Sequence, residues 1–146
     1  MTKSTDRYQQ MVENLRKGQH RITPQRMAIL KILSASVGHP SAEMVYDQIK
    51  QDFPSTSFAT VYKTIALAKE MGEVLELEFS NGSNRYDGNK PYPHPHLICT
   101  RCKKILDPDL ETVNHLQEEI MQETGYTITN HRLDFFGVCP DCQSKT

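Results

Sequence analysis

The stretch "HPHLICTRCKKILD", residues 94–107, carries several side chains that can bind metal ions. It contains two histidines, a Cys-x-x-Cys knuckle and an aspartate. Apolar pairs lead into Cys99 and into Asp107, with basic residues around Cys102 between them, which predicts two short strands joined at the knuckle. In a strand, His94 and His96 would share a face. Two cysteines alone do not complete a zinc site, so this stretch needs partners elsewhere and holds parts of one site or of two.

The four cysteines of the chain all stand in two knuckles, "CTRC" at 99–102 and "CPDC" at 139–142. Thiols stay reduced in the cytosol, where paired knuckles indicate metal binding rather than disulfides. Four thiolates satisfy Zn²⁺ and leave no position open for chemistry. A redox dithiol or an iron–sulfur cluster does not readily explain two matched knuckles. The sequence therefore predicts a structural zinc site made by Cys99, Cys102, Cys139 and Cys142.

His94, His96 and Asp107 then remain for a second site. Imidazole and carboxylate ligands near one another suit Fe²⁺, Mn²⁺ or Zn²⁺. Spacing alone leaves this second site incomplete. The alternative, that these histidines are structural or simply exposed, stays open at this level.

Size and composition describe an ordinary globular chain. Its 146 residues are 37% hydrophobic and 24% charged, with a formal net charge of −1. No apolar run approaches membrane-spanning length, and the start "MTKSTDRYQQ" has no secretory apolar region. We therefore expect a cytoplasmic protein without a membrane partner. The length allows one domain or two small ones, and a metal site would help to stabilise a small lobe.

The near-zero net charge hides an asymmetry along the chain. Residues 1–31 contain seven Lys and Arg against two acids, whereas residues 82–146 contain seven basic and nine acidic residues. The first half could therefore meet a polyanion such as DNA, and the second half would not. The alternative is a solvated helix face with no partner.

Four helices are predicted in the first half. An apolar stripe at helical spacing defines the first, and N-cap residues mark the beginning of the others. The stripe is Tyr8, Met11, Val12 and Leu15, ending near Gly18; the N-caps are Thr23 before Pro24, Ser41, and Ser57, with Phe53-Pro54 and Gly72 as stops.

A hairpin is predicted after the fourth helix. "EVLELEFS" alternates in polarity, Asn81-Gly82 is a strong turn signal, and "NRYDG" can return as the second strand. Helices followed by a hairpin indicate a winged helix-turn-helix, in which the last helix enters the major groove of DNA. The alternative is a core helix with a polar face. The candidate DNA contacts are Ser57, Ala59, Thr60, Tyr62 and Lys63, with Arg16 and Lys17 on the first helix.

The Gly- and Pro-containing stretch "GNKPYPHP" separates this half from the second. We expect a winged-helix domain over residues 1–87, a linker over 88–93 and a second domain over 94–146. The second domain is predicted to contain the two short strands, a helix in "DLETVNHLQEEIMQETG" and a final strand in "YTITNHRLDFFGVC". The fold class is α+β, with a winged helix followed by a small α/β lobe.

Six segments together resemble the ferric uptake regulator family, most closely its peroxide-sensing repressor branch: "RITPQRMAILKIL", "HPSAEMVYDQI", "FPSTSFATVYKTI", "NRYD", "HPHLICTRCKKILD" and "HRLDFFGVCPDC". The resemblance covers nearly the whole chain. It implies a homodimeric, metal-dependent transcriptional repressor with a C-terminal dimerisation lobe. Its partner would be double-stranded operator DNA, palindromic and AT-rich.

The resemblance also implies which residues bind metals. One structural Zn²⁺ per subunit falls on the four cysteines. One regulatory Fe²⁺ or Mn²⁺ per subunit falls on a second set of residues, contributed by both lobes, so that the ion would clamp the lobes together. Peroxide sensing would oxidise His39 or His94. The regulatory set is His39, Asp87, His94, His96 and Asp107.

The branch within the family rests on fewer residues. Asp107 is similar to the acid of peroxide sensors, whereas the iron-uptake regulators usually carry glutamate there, and "HPH" lacks their extra aspartate. The alternative is an iron- or manganese-responsive uptake regulator. Gln19 stands where the family commonly has glycine, and Lys63 where arginine or asparagine is usual. His131 resembles a ligand of an additional site whose companions are missing, and His20 and His115 are not expected to be ligands.

Two other classes of protein combine histidines, carboxylates and cysteines. Zinc deaminases join an H-x-E motif to P-C-x-x-C around one catalytic zinc. This chain has H-x-H and C-P-D-C instead, and both cysteine pairs already belong to one closed site, so we do not expect an enzyme. A metal storage or delivery protein would have no use for a recognition helix.

Overall fold

The computed structural model describes residues 3–35, 38–79 and 83–145, with side chains described from Asp6 onward. The chain divides into two compact units, residues 1–92 and residues 93–146. The first holds four helices and a two-stranded sheet, and the second holds a three-stranded sheet with two helices. The predicted α+β fold class is confirmed. None of the helices in the described ranges is long and apolar enough to cross a membrane.

The first unit is built around one apolar core. Its helices are α1 (Lys3–Lys17), α2 (Pro24–Ala35), α3 (Ala42–Asp52) and α4 (Phe58–Glu70). The helices bury apolar side chains at helical spacing, including Met11 and Leu15 of α1 and Val61 and Ile65 of α4. Burial of these stripes supplies most of the stability of the unit, because apolar area removed from water is the main favourable contribution to folding.

The predicted N-caps form as expected. The Ser41 hydroxyl accepts a hydrogen bond from the Met44 N–H, and the Ser57 hydroxyl accepts one from the Thr60 N–H. The Thr23 hydroxyl accepts one from the Arg26 N–H at 3.1 Å. Each bond satisfies a backbone donor that the first helical turn leaves without a partner.

The wing follows α4. Strands β1 (Leu75–Leu77) and β2 (Arg85–Asp87) pair antiparallel, with Leu75 opposite Asp87 and Leu77 opposite Arg85. The hairpin is therefore present, although each strand is shorter than the predicted segment. The predicted turn residues Asn81 and Gly82 lie outside the described residues.

The second unit contains a small mixed sheet. Its strands are β3 (His96–Cys99), β4 (Ile105–Leu106) and β5 (Asp134–Gly137), and its helices are α5 (Thr112–Thr124) and α6 (Pro140–Gln143). The strand order is β4-β3-β5, with β4 antiparallel and β5 parallel to β3. The parallel register places His96 beside Asp134 and Cys99 beside Gly137.

Three expectations for this unit are corrected. The final strand covers only Asp134–Gly137 rather than starting near Tyr126, since β3 offers a partner of just four residues. His94 lies before β3, so it does not share a strand with His96. Helix α5 begins at Thr112, leaving Leu110 outside it, and none of its residues is buried within the unit.

Two helices of the first unit end in the same backbone arrangement. After α4, Gly72 lies in the left-handed region at φ 76°, and the Glu73 N–H bonds the Ala68 carbonyl. After α1, Gln19 takes the same position at φ 60°, and the His20 N–H bonds the Leu15 carbonyl. Both ends are Schellman motifs, a motif whose left-handed position favours glycine. Gln19 therefore carries backbone strain that Gly72 avoids.

We expect Gln19→Gly to stabilise the first unit by about 0.5–1 kcal/mol, because relief of the left-handed strain exceeds the extra chain entropy of glycine. Gln19 is exposed, so little packing is lost. Gly72→Gln is the matched opposite change, since a Cβ at Gly72 meets no atom within 4 Å. Urea unfolding followed by helical circular dichroism should move in opposite directions for the two variants, and a less stable Gln19→Gly protein would contradict the assignment.

Candidate functional site

The two cysteine knuckles follow the carboxyl ends of β3 and β5, which are neighbouring parallel strands of the small sheet. Strand β3 ends at Cys99, where the Lys103 N–H bonds the Cys99 carbonyl and the Cys99 N–H bonds the Lys104 carbonyl. Lys103 takes a left-handed φ of 67° to close this tight turn. The second knuckle begins at Cys139, directly before Pro140 at the first position of α6. The parallel pairing of β3 with β5 brings the two knuckles together.

The four sulfur atoms form one cluster. The Sγ atoms of Cys99, Cys102, Cys139 and Cys142 all lie within 4.8 Å of one another, and those of Cys102 and Cys139 are 3.7 Å apart. A tetrahedral Zn²⁺ with Zn–S bonds of about 2.3 Å requires sulfurs about 3.8 Å apart. The donor set and its spacing therefore fit a closed zinc site with no open coordination position.

Hydrogen bonding within the cluster shifts the pKa values of Cys99 and Cys142 in opposite directions. The backbone N–H groups of Cys139 and Cys102 point at the Cys99 sulfur and lower the pKa of Cys99 to about 5. The neighbouring thiols, Cys139 first, raise the pKa of Cys142 to about 12. Four thiolates repel one another, so protons remain in the cluster until a cation compensates their charge. Zinc binding should therefore release protons.

A second group of ligand side chains lies in the same unit. His94 Nε2 is 3.3 Å from Asp107 Oδ2, and His96 Nε2 is 3.8 Å from Asp107 Oδ1. The two imidazole rings are neighbours, with centroids 4.4 Å apart. All three side chains are mostly buried, and their ligand atoms lie within 4.8 Å of one another. Two nitrogens and a carboxylate converging in this way fit a divalent metal such as Fe²⁺ or Mn²⁺.

The first unit holds the other two predicted ligands as a pair. His39 Nδ1 lies 3.4 Å from Asp87 Oδ2, and both side chains are only 1% exposed. His39 stands before α3 with a left-handed φ of 52°, and the Arg85 side chain donates to its carbonyl. Holding a histidine in this strained conformation requires support from the surrounding structure, which is characteristic of functional positions.

The Asp87 carboxylate is itself held firmly. Its Oδ1 accepts the backbone N–H groups of Asn89 and Lys90, both at 2.9 Å, which leaves Oδ2 facing His39. Gly88 packs against Leu33 so closely that a Cβ would come within 2.8 Å of the Leu33 backbone. The chain therefore approaches α2 at a point where only glycine fits, and this fixes Asp87.

The predicted DNA-contacting residues lie on the open side of α4. Ser57, Ala59, Thr60, Tyr62 and Lys63 are all exposed, while Val61, Thr64, Ile65 and Ala68 are buried. Ser57 caps the helix, because its hydroxyl accepts a hydrogen bond from the Thr60 N–H, and the Ser57 and Thr60 hydroxyls lie 3.0 Å apart. Within the described ranges Lys63 has no ion-pair partner. The arrangement presents a donor-rich helix surface with small residues that permits close approach.

Arg16 and Lys17 are also exposed, at the end of α1. Arg16 lies 3.6 Å from Glu13 in a solvent-exposed pair, which has little energetic weight. Both cations thus remain accessible to an anion.

Among the described residues, His20, His115 and His131 belong to neither ligand cluster. One residue beside the second cluster was not predicted from the sequence. Asp134 Oδ1 lies 3.4 Å from His96 Nδ1 because strands β3 and β5 pair in parallel. The segment "HRLDFFG" carries no local signal for this contact, which depends on pairing between distant segments.

These features define a winged-helix protein whose second unit gathers two sets of metal-ligand side chains. The chain belongs to the ferric uptake regulator family, whose sequence model matches residues 17–136, and the predicted resemblance is confirmed. It is 38% identical over 137 residues to the peroxide-responsive repressor PerR of Staphylococcus aureus, covering 94% of this chain and 92% of that protein.

Two solved structures extend the comparison. A structure of PerR from Streptococcus pyogenes, described for peroxide sensing and gene regulation, is 35% identical with a TM-score of 0.53, covering 93% of this chain and 92% of that one. The Helicobacter pylori ferric uptake regulator Fur has a TM-score of 0.81 at 24% identity, covering 96% and 93% of the two chains. At 24% identity, the similarity to the Helicobacter pylori protein shows that the two chains share a fold.

We expect Cys102→Ser, like serine at any of the other three cysteines, to release tightly bound zinc and to disrupt the dimer, because metal binding and folding are coupled in small metal-stabilised units. Zinc content after dialysis against a chelator and the mass in solution by light scattering measure both effects. Lys104→Ser is the control: it changes an exposed residue two positions after Cys102, and this variant should retain zinc. A Cys102→Ser protein that keeps one zinc per chain and its dimeric mass would show that the knuckles do not form a joint site.

Proposed function

We propose that this protein is a dimeric, metal-dependent transcriptional repressor that senses peroxide and then releases its operator DNA. The observation that carries the proposal is the convergence of the Nε2 atoms of His94 and His96 on the Asp107 carboxylate, in a chain with an exposed recognition helix. The 38% identity to the Staphylococcus aureus peroxide-responsive repressor supports the same function.

The regulatory metal in this proposal is Fe²⁺ or Mn²⁺, held by ligands from both units. His39 and Asp87 come from residues 1–92, and His94, His96 and Asp107 come from residues 93–146. Support comes from each unit separately, since each gathers buried imidazole and carboxylate groups in contact with one another. An ion that requires both ligand groups favours the arrangement of the units in which all are engaged. In this way metal binding would fix the arrangement of the units that binds DNA. The cysteine cluster holds a separate, structural Zn²⁺.

The DNA surface in this proposal is the exposed side of α4, with Arg16 and Lys17 as phosphate contacts. Ser57, Ala59, Thr60, Tyr62 and Lys63 would face the major groove, where hydroxyl and ammonium groups read base edges and bind phosphates. Two such helices in a dimer match a palindromic, AT-rich operator. The accessible face of α4, whose opposite side is packed in the core, supports this assignment.

The dimer surface in this proposal lies on the second unit. Leu97 pairs in register with both Leu106 and Phe135, so three apolar side chains form a row across one face of the sheet. All three are more than 40% exposed. Two of them, Leu97 and Leu106, also line a groove of about 350 Å³, together with Ile98, Val138 and other residues. An exposed row of this kind indicates an interface, and a self-complementary contact between two copies would cover it.

Peroxide would act on the regulatory ligands. Iron held at this site would activate H₂O₂ next to the imidazole ligands. One peroxide oxygen would then be inserted at the C2–H bond of His39 or His94, giving 2-oxo-histidine, and the other would leave as water, so that H₂O₂ itself is the two-electron oxidant. The oxidised ring is a poor ligand, so the metal is lost and the DNA is released. The second candidate function is an iron- or manganese-responsive uptake regulator of the same family, which would use the same site without histidine oxidation.

We expect Lys63→Glu to weaken operator binding by at least about tenfold, because it places a negative charge where the DNA backbone or a base acceptor would lie. Arg16→Ala or Lys17→Ala should weaken it modestly and reduce the slope of its salt dependence by about one. Gel-shift titration with promoter DNA in the presence and absence of Mn²⁺ measures these effects.

The control for the charge change is Lys145→Glu, an exposed lysine in the second unit. Lys145→Glu changes the net charge of the protein by the same amount as Lys63→Glu. The Lys145→Glu protein should nevertheless bind DNA almost as the wild type does. Zinc content and dimer mass should be unchanged in every variant. Equal affinity of Lys63→Glu and wild type would show that α4 does not face the DNA.

We expect low peroxide to oxidise His39 or His94 only when the regulatory site holds Fe²⁺, with parallel loss of DNA binding. Protein loaded with Mn²⁺ should bind DNA and stay unmodified, and Asp107→Glu should reduce the oxidation of the iron form. Peptide mass spectrometry locates the added oxygen. His20 and His115, which belong to neither cluster, serve as internal controls and should stay unmodified. An iron form that remains unmodified and DNA-bound would favour the second candidate function.

A further inference from the structure

The His96 imidazole lies between two carboxylates of its own unit. Its Nε2 faces the Asp107 carboxylate, which His94 Nε2 also faces. Its Nδ1 lies 3.4 Å from Asp134 Oδ1. The parallel register of β3 and β5 pairs His96 directly with Asp134, so this neighbour is set by backbone hydrogen bonding. The His96 side chain is 2% exposed and that of Asp134 is 11% exposed. One edge of the ring therefore faces the metal ligands and the other faces Asp134.

The Asp134 carboxylate is oriented by a third residue. Arg132 Nε donates a hydrogen bond to Asp134 Oδ2 at 2.6 Å, and it leaves Oδ1 toward His96. Arg132 and Asp134 are only two residues apart in sequence, so this ion pair is a local contact. The carboxylate thus presents one oxygen to the guanidinium and the other to the imidazole.

We infer that Asp134 is a positioning residue for the regulatory metal. In the metal-bound protein it accepts a hydrogen bond from the Nδ1–H of His96, which keeps the Nε2 lone pair directed toward Asp107 and the ion. This inference rests on the proposed function, since it assigns His96 as a ligand. Histidines that bind metals through one nitrogen usually donate the other N–H to a carboxylate or carbonyl, which fixes the tautomer and increases the ligand's basicity. The contact shortens to a hydrogen bond when a cation at Nε2 makes Nδ1–H a stronger donor.

Only a carboxylate satisfies both neighbours of this position. The Arg132 guanidinium has N–H donors and no acceptor, and His96 Nδ1–H is also a donor. The two oxygens of Asp134 accept one bond each. An asparagine of the same shape has one acceptor and one donor group, so either Arg132 or His96 would face an N–H. Asp134→Asn therefore removes the charged acceptor and leaves one of the two donors facing an N–H, with almost no change in volume.

The test compares Mn²⁺ affinity in the full-length, zinc-loaded protein. Competition with a fluorescent chelator should show Asp134→Asn binding Mn²⁺ about tenfold more weakly than wild type, the lower end of the range for such supporting residues. Glu123→Ala removes one exposed carboxylate of the same unit and is the control, with wild-type affinity expected. Zinc content and dimer mass verify that both variants are folded. Wild-type affinity in Asp134→Asn would overturn the inference.

A second measurement reports on the imidazole itself. Protein labelled with ¹⁵N-histidine is loaded with a second equivalent of Zn²⁺, a diamagnetic probe of the regulatory site, and examined by ¹H–¹⁵N correlation. Wild-type His96 should coordinate through Nε2 and show an Nδ1–H signal protected from exchange with water, and Asp134→Asn should lose that protection. Coordination through Nδ1, or rapid exchange of Nδ1–H in the wild type, would overturn the inference without reference to any variant.

The two proposals fail differently in these experiments. If the wild-type protein takes up neither Mn²⁺ nor a second Zn²⁺, the regulatory site itself is absent and the proposed function is wrong. If the wild type binds while Asp134→Asn matches it in affinity and in His96 protection, the site stands and only the role of Asp134 is wrong. Weaker Mn²⁺ binding with His96 protection unchanged also overturns the inference, because the effect would then not pass through the imidazole.

Discussion

The small second unit has almost no apolar core, and this constraint governs the rest of the structure. Within the described part of residues 93–146, Ile98, Cys99 and Ile105 are the buried hydrophobic residues, and α5 buries none. So little apolar burial cannot offset the entropy lost when some fifty residues are ordered. The unit must therefore draw stability from elsewhere, and two sources are visible. One is the cluster of four sulfurs that joins the carboxyl ends of strands β3 and β5, and the other is the exposed apolar row at Leu97, Leu106 and Phe135.

The first unit, in contrast, has a large apolar core, and this core positions its functional side chains. Its helices close a continuous core, and charged groups at the edge of that core are paired. Arg7 shows this, because its guanidinium bonds the Glu73 carboxylate at 2.8 Å and the carbonyls of Glu73 and Gly88. That network holds α1 against the wing and fixes the segment that carries Asp87. The outer face of α4 can then remain fully exposed, since the stability of the unit does not depend on it.

Local signals in the sequence predicted the parts of this architecture that local interactions determine. The caps at Thr23, Ser41 and Ser57 and the stop at Gly72 depend on side chains within a few residues of the helix end, and they were correct. The strand proposed over residues 126–139 was too long, because strand length depends on the partner and β3 has only four residues to offer. The proximity of Asp134 to His96 was missed for the same reason. It arises from a parallel pairing between segments far apart in sequence, and no local pattern encodes that register.

The division of ligands between two units determines how strongly a metal can act as a signal in the proposed function. In that proposal, His94, His96 and Asp107 would form a partial site within one unit, and that partial site would have some affinity of its own. Metal held by those three alone would favour no particular arrangement of the units. A ligand shifts a conformational equilibrium only by the difference between its affinities for the two states, and each factor of ten in that difference corresponds to about 1.4 kcal/mol. The regulatory effect would therefore be set by what His39 and Asp87 add to the affinity, not by the total affinity. Oxidation of His39 would remove that difference directly, whereas oxidation of His94 would lower affinity in both states. The same chemistry on two histidines would thus switch the protein by two physically distinct routes.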